Sequence, residues 1–95
     1  KTDANLAFVE RYEARFGPEG PALNVYGESC YEGLTLLSTL ARRSATLHPA
    51  DLAAVSEGAS FQGARGELTV HRRHVEQSAH LAVADGLEFR IVTSF

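Results

Sequence analysis

Three histidines, one cysteine and a Glu-x-x-Tyr pair are the residues whose types and spacing could do chemistry in this chain. His71, His74 and His80 would together offer a metal two imidazoles beside a turn and a third on the next strand. Positions 71 and 74 of one strand point to opposite faces unless the turn reorients one of them. No nearby cysteine or fixed carboxylate completes a recognised ligand set, so solvated turn histidines are expected and no metal. Cys30 with a histidine is the minimal nucleophile and base, yet Cys30 falls on an apolar helical face, where it reads as a small buried hydrophobe. Ser29 and Ser94 lack a nucleophile-elbow context, and no Walker or dinucleotide glycine motif occurs. Gly63-x-x-Gly66 follows a helical pattern and enters a strand, the reverse of a phosphate-cradling loop. Neither catalysis nor a cofactor is expected.

Glu28 and Tyr31 carry two readings. A carboxylate at a helix start, three residues before an aromatic ring and two after Tyr26, would line a polar cleft. The same residues would also serve as dipole compensation and core packing.

The elements that must position these groups follow from hydrophobic period. Phe8, Tyr12 and Phe16 recur every four residues among Glu10, Arg11, Glu13 and Arg15, which predicts an amphipathic helix over 3–16, capped by Thr2 or Asp3 and ended by Gly17-Pro18. The loop through residue 27 holds three glycines, two prolines and Asn24. A second helix is expected over 28–44, with Tyr31, Leu34, Leu37, Leu40 and Ala41 on one face and Cys30 and Leu36 widening it. Pro49 suits the first position of a third helix over 49–57, with Leu52 and Val55 inward and Gly58 as its stop. Gly63 and Gly66 then permit positive φ and close backbone approach, so the chain turns sharply between buried Phe61 and a strand carrying Leu68 and Val70. Strands are expected at about 66–71, 77–84 and 87–93, the last two joined by Asp85-Gly86, the preferred pair of a type I′ hairpin. The fold class is therefore α+β: three helices, then a small antiparallel sheet.

Ninety-five residues make one unit, 1–95, with room for a single core. Nine basic and twelve acidic residues are interspersed, leaving no basic face for a phosphate backbone, so direct nucleic-acid binding is not expected. A single cysteine excludes an intramolecular disulfide. No run of about 18 apolar residues exists, so this segment is not expected to insert into a membrane. Lys1-Thr2-Asp3 is no secretion signal and opens what reads as a helix's first turn, as expected of a piece of a longer protein.

The order of these segments resembles the C-terminal part of type I periplasmic solute-binding proteins, in the branch that handles urea, short amides and branched-chain amino acids. Asn5-Leu-Ala-Phe-Val-Glu-Arg-Tyr-Glu-Ala-Arg-Phe16 is similar to a helix of that family in which Phe-Val is followed by Tyr and then Phe-Gly. Glu28-Ser29-Cys30-Tyr31 fits its Glu, two small residues and Tyr at the start of the long helix. Phe61-x-Gly63-x-x-Gly66-x-Leu68-x-Val70 and His74 resemble its next segment, and Phe89-Arg-Ile-Val92 its last paired strand. The chain departs from the family at His71-Arg72-Arg73, where Asp-Pro-Asp-Asn is frequent.

The resemblance implies part of a two-lobed α/β clamp, with Tyr26, Glu28 and Tyr31 near the ligand and Gly63 and Gly66 at the hinge or turn. It implies a non-enzymatic, extracytoplasmic receptor that closes on a small polar solute and delivers it to an ABC transporter permease. A cytoplasmic amide-sensing regulator that sequesters an antiterminator is the alternative within the same resemblance. A stand-alone α+β interaction domain is the alternative outside it. Apolar surface left by missing neighbours is expected to make these residues self-associate as a homo-oligomer.

Overall fold

The computed structural model describes residues 2–95. Helix α1 spans Asp3–Phe16; the Thr2 hydroxyl accepts the Asn5 N–H at 3.2 Å, and Gly17, at φ 82°, ends it. Phe8 is buried, while Tyr12 and Phe16 stack at 4.7 Å on the same flank and Phe16 stays exposed. Helix α2 spans Val25–Ser44 and so begins three residues before the expected position 28. The cause is Asn24, whose side chain accepts the Gly27 N–H at 2.9 Å and makes Asn24 the cap of a helix that takes in Tyr26 and Gly27. Helix α3 spans Pro49–Ala54, short of the expected 57. Residues 55–58 continue as turns because the Gly58 N–H donates to the Val70 carbonyl at 2.9 Å, which draws the chain into a sheet.

That sheet has three antiparallel strands in the order β1 (Ser60–Gly63), β2 (Gly66–His71) and β3 (His74–Glu76). Only β2 was expected; β1 and β3 are four and three residues long, too short for alternation to be read. Phe61 pairs with Leu68 and both are buried, with Val70 beside them, as the alternation requires. Leu40, Ala59 and Val70 form the centre of the core, backed by Leu36, Leu52 and Val55. The chain does reverse between Gly63 and Gly66, but only Gly66 uses positive φ, at 114°.

The turn joining β2 to β3 is built on Arg72 and Arg73, both left-handed at φ 49° and 64°, a conformation that two-residue hairpins require and arginine rarely adopts. Glu57 secures it, accepting the Arg72 N–H at 2.9 Å and lying 2.7 Å from His71 Nδ1.

Strands β4 (His80–Asp85) and β5 (Glu88–Ser94) form a second, separate sheet of two strands rather than extending the first. Their tight connection is centred on Gly86–Leu87, one residue later than expected, with Asp85 facing Glu88. Gly86 takes φ 65° while Leu87 stays out of the left-handed region, the combination in which glycine supplies the first central position. The pairing sets Ala82 opposite Ile91 and Ala84 opposite Phe89 on one face, and Leu81 and Val83 on the other. The first face is apolar, whereas the second also carries Asp85, Glu88 and Arg90; Leu81, Val83, Phe89 and Ile91 are all exposed. The apolar face is the one that such a ribbon normally packs on a core.

The whole chain exposes 7391 Å² and has a radius of gyration of 15.6 Å. A compact protein of this mass exposes about 5,400 Å², and one of this length has a radius near ~12 Å. The surplus of roughly 2,000 Å² is the size of a substantial interface. Within α2 it includes Leu34 and Leu37, expected on the buried face and found exposed, because α2 meets the sheet through Leu36 and Leu40 instead. Cys30, expected as a buried hydrophobe, is also exposed on α2. No helix among the described residues is long and apolar enough to cross a membrane.

Candidate functional site

The first turns of α2 separate the three residues expected near a ligand. Tyr26 is 79% exposed. Tyr31 turns toward α1: its ring lies 4.8 Å from that of Phe8, and its hydroxyl accepts from Arg11 Nη2 at 3.2 Å. Glu28 is half-buried and lies one turn before Glu32, on the side of the helix that faces the β1–β2 turn. Glu28 and Tyr31 therefore lie on different flanks of α2; of two concavities here, Tyr31 lines the first, and neither Glu28 nor Tyr26 lines either.

The first concavity is an aromatic groove of about 290 Å³ between α1 and the loop after it, lined by Phe8, Tyr12, Phe16, Leu23 and Tyr31. Its shape depends on the Tyr12 hydroxyl, which donates to the Pro21 carbonyl at 2.6 Å and folds the Gly-Pro loop back over α1. Such walls suit an apolar or flat aromatic group.

The second, of about 200 Å³, is lined by Ser29, Glu32, Phe61, Arg65, Val75 and Gln77. At its base Arg65 grips Glu32 with two parallel hydrogen bonds, Nε to Oε1 at 3.2 Å and Nη2 to Oε2. Glu32 is 6% exposed, the one buried charged residue among those described. Hydrogen bonding to Glu32 holds the Arg65 guanidinium above its ordinary pKa; burial opposes this, and the charges of Glu32 and Glu28 add to it. Arg65 is thus a fixed cation facing two carboxylates one helical turn apart.

This pair was not foreseen. Arg65 stands in the two-residue turn between Gly63 and Gly66, and only closure of β1 on β2 swings it over α2. The available signal was Glu32 itself, a carboxylate on the flank of α2 that also carries Leu36. Gly63 is needed here for space rather than for φ. A Cβ at this position would stand 2.7 Å from Leu68 Cδ1 and 2.8 Å from Glu32 Oε1, one buried and the other clamped. Gly63→Ala is therefore expected to cost about 1–3 kcal/mol, read as a lowered urea midpoint at unchanged slope. An unshifted midpoint would mean that the clamp yields freely.

The histidines do not converge. The turn brings His71 opposite His74, so the two are cross-strand partners instead of pointing to opposite faces, while His71 engages Glu57 and His80 engages Ser94 at 2.7 Å on the other sheet. No group of three or more histidine, cysteine or acidic side chains among the described residues is arranged to hold a metal. Compared with protein-family models, curated proteins and solved structures, the chain matches none of them.

Proposed function

We propose that these residues are the C-terminal part of a two-lobed solute-binding protein, a non-enzymatic receptor for an amide, urea or a branched-chain amino acid that serves an ABC transporter from outside the cytoplasm. The observation that carries the reading is the surplus of roughly 2,000 Å² of surface over a compact fold of this mass. It is concentrated on α1, on the outer flank of α2 and on both faces of the β4–β5 ribbon. The ribbon face that carries Ala82, Ala84, Phe89 and Ile91 is apolar and uncovered, as expected of a sheet that packs against helices in an α/β lobe. The sequence order of Phe8 to Phe16, Glu28 to Tyr31, Phe61 to Val70 and Phe89 to Val92 supports the same assignment.

In this reading the flank of α2 that carries Glu28 faces a cleft whose remaining wall lies in the other lobe, and the polar notch at Arg65 lies beside it. Closure of the lobes is the signal, and the solute drives it by its differential affinity for the closed state. The 95 residues alone then hold less than a full cleft. Isothermal titration of this chain with acetamide, urea and leucine is expected to give no saturable heat, and the full gene product is expected to bind one of them. Micromolar binding by the 95 residues alone, or no binding of any of the three by the full product, would overturn the proposal.

A further inference from the structure

The outer edge of β5 is the longest unpaired strand edge among the described residues, seven residues against four in β1 and three in β3. Edges of this kind are templates for another strand unless they are short, kinked or carry repelling charges. With Asp85 and Glu88 closing a two-residue turn, they form the hydrogen-bonded pair of the hairpin, and the N–H and C=O groups of Phe89 and Ile91 point away from β4. The strand is regular from Glu88 to Ile91. Beyond that the register slips at Val92, which breaks the hydrogen-bonding rhythm of the edge.

We propose that two copies of this chain pair antiparallel through β5, about a two-fold axis at Phe89, joining two ribbons into one four-stranded sheet. Charge selects the register. Centred on Phe89, the pairing sets Glu88 of each copy opposite Arg90 of the other within the regular stretch, and brings Leu87 of the turn opposite Ile91. Centred one residue later it sets Arg90 against Arg90, which is repulsive, and centred on Ile91 it runs across the slip. Arg90 already lies 3.3 Å from Asp85 on the same face, so the second copy's Glu88 completes a three-charge cluster. The edge of β4, His80–Asp85, offers no such opposite-charge pair. On the other face the two Phe89 side chains, each 79% exposed in one chain, meet. This pairing is independent of the solute-receptor reading, which would stand if it failed.

Sedimentation velocity on the 95-residue chain, carrying Cys30→Ser to exclude disulfide dimers, is expected to show a reversible monomer–dimer equilibrium. Glu88→Arg should weaken it about tenfold or more, since both cross-copy pairs become repulsive. Combining Glu88→Arg with Arg90→Glu should restore most of it. In the same background, mild oxidation of Phe89→Cys should trap a covalent dimer and oxidation of Leu34→Cys should not. A monomer at all concentrations, a dimer indifferent to Glu88→Arg, or trapping through residue 34 instead of 89 would each overturn the proposal. The trapping measurement keeps it testable should Glu88→Arg disturb the ribbon itself.

Discussion

Replacing Arg65 by Met is expected to destabilise the fold by roughly 3–5 kcal/mol, the cost of removing one partner from a buried ion pair. For a domain whose total stability is about 5–15 kcal/mol, and whose open surface sets it toward the lower end, that is enough to unfold much of the population. The effect should be unequal across the pair. Losing Arg65 strands the carboxylate of Glu32, whose side chain is only 7% exposed. Losing Glu32 strands a guanidinium whose side chain is 31% exposed and reaches solvent at the mouth of the notch. Glu32→Gln should therefore cost clearly less than Arg65→Met. The double replacement Glu32→Leu with Arg65→Met should recover part of the loss, because no buried charge is left unpaired. Urea unfolding followed by circular dichroism reads all three. Equal losses from the two single changes would show that solvent reaches Glu32 as easily as Arg65.

Leu68→Ala is the second large effect, expected at about 2–5 kcal/mol from lost transfer energy and the cavity left behind. Leu68 is the largest fully buried side chain described, paired across the sheet with Phe61 and in contact distance of Gly63. The contrast lies in the ribbon. Leu81→Ala, at a position 55% exposed, should shift the midpoint of the isolated chain by no more than about 0.5 kcal/mol. Comparable losses at residues 68 and 81 would mean that the ribbon packs into the same core, against the separation of the two sheets.

These expectations divide the chain into a half with a core and a half without one, and the sequence reveals that division only in part. The helical periods of α1 and α2 were legible, as were the stop at Gly17, the Pro49 start and the inward Leu52 and Val55, because each is decided within a few residues by spacing and cap chemistry. Asn24 as a cap was overlooked since it sits in a Gly- and Pro-rich loop, and the start of α2 was misplaced accordingly. At the site, Glu28 and Tyr31 were legible as a pair on one helix. Their placement on separate flanks of the helix was not, because it depends on α1 claiming Tyr31 and the β1–β2 turn claiming the side of Glu28.

Local chemistry in the residues alone determined three helices, the reversal at Gly63 to Gly66, the hairpin at Gly86 and the alternation that points Leu68 and Val70 inward. Tertiary structure alone decided that the strands form two sheets, that Arg65 crosses to Glu32, and which flank of α2 is covered, leaving Leu34, Leu37 and Cys30 in water. The physical reason is range. Caps, turns and periodicity are settled by neighbours in sequence, whereas an ion pair spanning 33 positions, or a face left without a partner, depends on which surfaces the chain brings together.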